Sequence, residues 1–65
     1  MTVALTPRER DVLELVARGH TQAEIGEALG LAERTVKDHT RILRAKAGVR
    51  QKHELVRWAQ AELGR

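Results

Sequence analysis

Several residue types that carry protein chemistry are missing from this sequence. It has no cysteine, serine, tyrosine or phenylalanine, and only one tryptophan and one proline. Without cysteine the chain can form neither a disulfide nor a thiolate metal site, and His20, His39 and His53 lack the spacing of zinc ligands. The serine, cysteine and tyrosine nucleophiles are absent too. We therefore expect no enzyme activity, no metal and no cofactor.

Long apolar segments are also missing. No segment approaches the ~18 consecutive apolar residues of a membrane helix. The first residues, M-T-V-A-L-T-P-R, have neither the basic start nor the apolar length of a secretory signal. We expect a cytoplasmic protein with no membrane partner.

The charge is distributed unevenly along the chain. The net charge is +3, but residues 1–33 hold three basic and six acidic side chains, whereas residues 34–52 hold seven basic and one acidic. A strongly basic middle segment beside an acidic first half predicts a face that binds a polyanion, with a solvated helix surface as the alternative. Aromatic residues make up only 2% of the chain, too few for a protein that binds nucleic acid by stacking bases.

Capping residues and the spacing of apolar residues predict four helices. Thr6 and Glu9 form the pattern of a capping box around Pro7, and Thr21 and Glu24 repeat it. A glycine follows each of the first three apolar segments, as at helix C-caps. Four helices joined by short loops predict an all-α, compact four-helix domain over residues 1–65. The predicted helices span about residues 7–18, 22–29, 33–47 and 52–63.

Each predicted helix has one apolar stripe that can be buried. Gly26 lies inside the second helix, where either a close approach of the neighbouring helix or simple tolerance explains it. Ala32 stands where a capping residue is expected before the third helix, and alanine cannot cap. The side chains expected to face inward are Val12, Leu13, Val16 and Ala17, then Ile25, Ala28 and Leu29, then Val36, Thr40, Leu43 and Ala47, and finally Leu55, Ala59 and Leu63.

The second and third helices are joined by a short turn, which predicts a helix-turn-helix. In that motif the second helix of the pair lies in the DNA major groove. Thr21 and Gln22 lie at the positive end of the preceding helix, where free amides favour a phosphate. The outward face of the third helix carries Arg34, Lys37, Asp38, Arg41 and Ala45.

Four sequence motifs resemble one protein family. They are L-T-P-R-E-R-D-V-L-E-L-V-A-R-G, E-I-G-E-A-L-G-L, R-T-V-K-D-H and A-G-V-R-Q-K-H-E-L-V, and together they cover nearly the whole chain. The chain resembles the LuxR-type (GerE-like) helix-turn-helix DNA-binding domain of bacterial transcription regulators. The resemblance implies sequence-specific double-stranded DNA binding in promoters, dimerisation through the last helix on two half-sites, and a location at the nucleoid.

The resemblance also implies roles for individual residues. The positions after T-V in the family contact base edges, which correspond here to Lys37, Asp38 and Arg41. The family's aliphatic position after Leu43 is occupied by Arg44, and its capping positions by Ala32 and Gln51. The residues expected at the DNA backbone are Thr21, Gln22, Arg34, Thr35, Arg44, Lys46, Arg50 and Lys52.

Trp58 is the candidate anchor of a dimer interface, with Ala61 beside it. Trp58 lies roughly 100° from Ala59 around the last helix, so it cannot share fully in the burial of the main stripe. It either anchors a two-fold contact or packs over the edge of the bundle as ordinary core. The resemblance favours the interface.

Two other functions remain open from the sequence. The chain could be a protein-interaction module that dimerises or docks on RNA polymerase through its last helix, or a sigma-factor-like helix-turn-helix. The expected partners are double-stranded DNA, a second copy of the chain on DNA and, as a candidate, RNA polymerase. No small-molecule ligand is expected in this domain. The family normally joins this domain to a receiver or sensory domain, and the sequence leaves open whether this chain has one.

Overall fold

Four helices account for most of residues 4–64, the part of the chain that the computed structural model describes, and no strand occurs there. This confirms the all-α class with a central helix-turn-helix. The helices predicted at 7–18 and 52–63 each end one residue earlier than expected, because Arg18 and Leu63 are the C-caps. The helices are α1 (Pro7–Ala17), α2 (Gln22–Leu29), α3 (Glu33–Ala47) and α4 (Lys52–Glu62).

The first two helices begin at reciprocal capping boxes. The Glu9 amide donates to Thr6 Oγ1 at 3.1 Å, and the Thr6 amide donates to Glu9 Oε1 at 2.9 Å. Thr21 and Glu24 repeat this arrangement at 3.1 and 2.8 Å. These bonds satisfy amides that have no partner within the helix, so the chain direction at both starts is determined locally.

The helices pack around one apolar core. α1 packs against α3 and α4, and α2 packs mainly against α3. All four residues predicted to face inward from α1 are buried, but Ala28 of α2 is exposed, contrary to the prediction, and Gly26 is buried instead. Val49 and Trp58 pack against the core while partly exposed. The buried apolar residues are Val12, Leu13, Val16, Ala17, Ile25, Val36, Leu43, Leu55 and Ala59.

The turn between α2 and α3 is built on two glycines. Gly30 has φ 69°, in the left-handed region that glycine adopts without strain, and caps α2. Gly26 accepts a hydrogen bond from the Leu31 amide at 2.8 Å, so the turn folds back over α2. A Cβ atom at Gly26 would lie 2.6 Å from the Leu31 carbonyl oxygen. A close approach therefore explains this glycine, but it comes from the turn and not from the neighbouring helix.

The start of α3 has no side-chain cap. Ala32 is the N-cap residue, with φ −62° and ψ 146°, and forms no side-chain hydrogen bond. A serine there could accept from an amide of the first turn, so we expect Ala32→Ser to stabilise the domain by about 1 kcal/mol. Thr6→Ala, which removes an existing cap, should lose about the same amount. Thermal unfolding of both variants without DNA measures these changes in stability. An Ala32→Ser domain no more stable than the parent would contradict the assignment of Ala32 as the N-cap.

Candidate nucleic-acid interface

The outward face of α3 is exposed along its first two turns. Val36 and Leu43 are fully buried, which directs the opposite side of the helix to the surface. On a helix of 3.6 residues per turn, the exposed side chains then lie on a common face. Among the residues predicted to contact DNA, five are exposed on this part of α3: Arg34, Thr35, Lys37, Asp38 and Arg41.

A polar contact holds α3 against α2. Gln22 Nε2 donates to Thr40 Oγ1 at a long 3.4 Å, and the Thr40 hydroxyl donates to the Lys37 carbonyl at 2.9 Å. Thr40 is only 5% exposed, so its hydroxyl needs these partners. The side chain of Gln22 therefore helps to orient α3 in addition to any contact it makes with DNA.

The start of α2 differs from the prediction in one respect. The Thr21 amide is not free, because it donates to the carboxylate of Glu24. This bond is the main cause that lowers the pKa of Glu24. The amides of Gln22 and Ala23, the first two residues of the helix, have no intrahelical acceptor. Any anion at this helix end would bind to these two amides.

Three of the residues predicted at the DNA backbone converge on one small cavity. Gln22 comes from α2, Arg44 from α3 and Lys52 from α4, and all three line the cavity together with Thr40. Arg44 is half-buried and Lys52 is exposed. Mostly apolar side chains complete the lining, and the volume of about 30 Å³ is too small to enclose a phosphate, so these donors can reach a phosphate oxygen only at the mouth of the cavity.

Lys46, predicted at the DNA backbone, has acceptors within the domain. Its Nζ atom donates to Glu9 Oε1 at 2.7 Å and to the Ala4 carbonyl at 3.1 Å. The hydrogen bond from Lys46 to Glu9 is the largest cause that lowers the pKa of Glu9, and the bond from the Thr6 amide is the next largest. Glu9 is only 6% exposed, so Lys46 neutralises an almost buried carboxylate. Lys46 therefore takes part in the α1–α3 contact, where its ammonium group already has two acceptors.

The other cations of residues 34–52 have no acidic partner among residues 4–64. The ion pairs within residues 4–64 are Arg8–Asp11, His20–Glu24 and Lys46–Glu9. Apart from Lys46, no cation of the segment is therefore engaged by an acidic side chain in the described part of the chain. These other cations are Arg34, Lys37, Arg41, Arg44, Arg50 and Lys52.

The loop between α3 and α4 is held by two hydrogen bonds to Glu54 and exposes Arg50. The amides of Arg50 and Gln51 donate to Glu54 Oε1 at 3.3 and 3.0 Å. The Gln51 bond, followed by the Arg50 bond, lowers the pKa of Glu54. Arg50 is exposed, so the loop carries its charge outward from a fixed backbone.

The candidate interface residues on α4 differ in burial. Trp58 is half-buried and packs against the core, whereas Ala61 is exposed. Gln60 Nε2 donates to the Ala17 carbonyl at 3.1 Å and ties α4 to the end of α1. Trp58 thus has a core contact in the single chain and an edge that remains accessible.

Neither a membrane-spanning helix nor a metal-binding cluster occurs in the described residues. No helix of residues 4–64 combines the length and apolar character that crossing a membrane requires. The same residues contain no group of three or more histidine and acidic side chains placed to hold a metal ion.

Comparison with known proteins places the sequence beside bacterial regulators. Residues 3–59 match the family described as "Bacterial regulatory proteins, luxR family". The transcriptional regulatory protein MctR of Rhizobium johnstonii is 42% identical over 55 residues, which are 85% of this chain and 26% of that protein. The HTH-type transcriptional activator RamA of Corynebacterium glutamicum is 41% identical over 59 residues, 91% of this chain and 21% of its own length.

A third relative is the nitrate/nitrite response regulator protein NarL of Escherichia coli. It is 38% identical over 58 residues, which are 89% of this chain and 27% of that protein. The chain therefore spans about a quarter of the length of the relatives it matches. The family match at residues 3–59 covers the first three helices and most of α4.

Proposed function

The chain belongs to the luxR family of bacterial regulatory proteins, whose members are DNA-binding transcription regulators, and on that basis we propose that α3 reads a specific DNA sequence in the major groove. The observation that carries this proposal is the row of cations on the exposed side of α3 and the following loop, which have no acidic partner within residues 4–64. We further propose that the protein works at the nucleoid, where double-stranded DNA is available.

Base reading is assigned to Lys37, Asp38 and Arg41, which lie on one exposed face of α3. Lysine and arginine pair best with guanine O6 and N7, and a carboxylate accepts a hydrogen bond from cytosine N4. Asp38 also repels phosphate, so its place on this face is more easily explained by base reading than by backbone contact.

Backbone contacts are assigned to side chains around that face. Gln22, Arg44 and Lys52 border one small cavity, and we assign them to one phosphate group at its mouth, with Arg50 contacting another from the adjoining loop. Lys46 is removed from the set because Glu9 already holds its ammonium group. Thr21 contributes through the helix end that it caps, and the remaining contacts are assigned to Arg34 and Thr35.

Two alanine variants test the two kinds of contact. We expect Arg41→Ala to weaken binding to the preferred site by about 1–3 kcal/mol and to relax the preference at one base pair. Arg50→Ala should weaken binding to every sequence alike and reduce the slope of log K against log salt by about one unit. Selection from a random DNA pool supplies the preferred site, and gel shifts at several salt concentrations supply the slopes.

Two results would contradict these assignments. If Arg41→Ala lowered affinity equally for all sequences, Arg41 would be a phosphate contact. If the parent domain showed no salt dependence, the proposed DNA binding itself would be wrong, and a protein-interaction module would be the better description.

We also propose that two copies meet through α4 when they occupy adjacent half-sites. The exposed Ala61 and the accessible edge of Trp58 support a small contact, which should associate weakly in solution. On DNA the two copies are held close together, and this high effective concentration lets a weak contact contribute.

Ala61→Glu tests the dimer with little risk to the fold, because Ala61 is exposed. We expect this variant to keep its melting temperature and its affinity for a single half-site, and to lose affinity for a two-half-site DNA. Trp58→Ala should lower the melting temperature as well, since Trp58 also packs against the core. Equal affinity of Ala61→Glu and the parent for both DNAs would place the interface elsewhere.

A further inference from the structure

Ile42 is an unusual residue on the surface of α3. It is the one large hydrophobic side chain of residues 4–64 that is exposed, with 44% of its surface accessible. The core position beside it is occupied by Leu43, which is fully buried. Ile42 therefore contributes little to the core, and helix propensity does not explain it either, because isoleucine is a weaker helix former than alanine, lysine or arginine.

The position of Ile42 is next to the base-reading face. It follows Arg41 directly and lies one helical turn after Asp38, so the side chains of Asp38 and Ile42 are neighbours on the helix surface. Helical side chains lean toward the N-terminus, which carries Ile42 toward the turn that holds Asp38. Ala45, three residues further on, is small and exposed, so it leaves space around Ile42.

We propose that Ile42 is a further specificity-determining residue that contacts the C5-methyl group of a thymine. This inference rests on the proposed position of α3 in the major groove. The thymine methyl is the apolar group that base pairs present there, and an apolar side chain is its natural partner. The contact also removes part of the exposed Ile42 surface from water, which is favourable.

The geometry gives the approximate position of this thymine. One helical turn advances 5.4 Å along α3, and successive base pairs are about 3.4 Å apart. The thymine contacted by Ile42 should therefore lie about one or two base pairs from the pair contacted by Asp38. Together, Asp38 and Ile42 would favour half-sites in which a cytosine and a thymine lie one or two base pairs apart.

Substituting thymine by deoxyuridine tests the contact, because it removes only the methyl group. In the selected DNA site, each thymine is replaced in turn and binding of the parent domain is measured. We expect one replacement near the Asp38 position to weaken binding about fourfold, the effect of leaving one methyl group unburied. Ile42→Ala should bind the thymine site less tightly and show no further loss with deoxyuridine at that position.

The controls separate this contact from other roles of Ile42. Ile42→Val keeps a branched apolar side chain and should retain part of the deoxyuridine effect. Ile42→Ala should also keep the parent melting temperature, since the side chain is exposed. An Ile42→Ala domain with the same deoxyuridine profile as the parent would overturn the inference, as would a parent insensitive at every thymine. In both cases specific DNA binding by the parent would still stand, whereas loss of any preferred site in the parent would overturn the proposed function instead.

Discussion

Gly26→Ala is expected to destabilise the domain by about 1–3 kcal/mol, although glycine-to-alanine changes inside helices usually stabilise by ~1 kcal/mol. The added Cβ would lie 2.6 Å from the carbonyl oxygen of Leu31 and 3.6 Å from Cγ2 of Val36. A backbone carbonyl cannot rotate away as a flexible side chain can. The turn that leads into α3 must therefore shift, and we expect specific DNA binding to weaken along with stability.

Thermal unfolding measures the stability change, at about 4–8 °C of melting temperature per kcal/mol for a domain of this size. Ala28→Gly is the matched control, because Ala28 is exposed in the same helix. It should lose only the ~1 kcal/mol of helix propensity and keep the DNA preference of the parent. A Gly26→Ala domain more stable than the parent would show that the turn does not approach α2 so closely.

Lys46→Met is expected to cost about 1.5–3 kcal/mol at neutral pH, because it leaves the almost buried carboxylate of Glu9 without its charged donor. Methionine retains most of the apolar length of lysine, so the lost interaction is mainly electrostatic. The salt slope of DNA binding should stay close to that of the parent, since Lys46 is not assigned to phosphate. A slope reduced by about one unit would return Lys46 to the DNA-binding set.

The cost of Lys46→Met should depend on pH. Because the folded state lowers the pKa of Glu9 from its usual 4.5, the ion pair stabilises the fold above that pH and is lost as the pH falls further and Glu9 is protonated. The stability difference between parent and variant should therefore shrink below pH 4.5. Urea unfolding of the parent and the variant at several pH values measures this stability difference.

Two controls isolate the contribution of the Lys46–Glu9 ion pair to stability. Lys52→Met removes an exposed lysine with no acidic partner among residues 4–64 and should change stability little. In a Glu9→Gln background, Lys46→Met should cost clearly less than in the parent, because the double-mutant cycle removes the charge interaction. An equal cost in both backgrounds would assign the effect of Lys46 to its apolar stem.

The helices could be predicted because their signals are local. Thr6 with Glu9, and Thr21 with Glu24, are three residues apart and form their capping boxes without help from the rest of the fold. The apolar stripe of α3 follows helical periodicity, and Val36, Thr40 and Leu43 are buried as expected. In α2 the periodicity misplaced Ala28, which is exposed, and the close approach of the turn at Gly26 could not be read from it.

The family and the exposed basic face of α3 were likewise evident from motifs, spacing and charge. The sequence by itself determined four helices, a helix-turn-helix and an excess of cations on the third helix, because each depends on residues within a few turns of one another. The tertiary structure alone decided which cations remain available. It paired Lys46 with Glu9, 37 residues away, and brought Gln22, Arg44 and Lys52 from three helices to one cavity. No local sequence pattern predicts these contacts, because they depend on how the helices pack across the core.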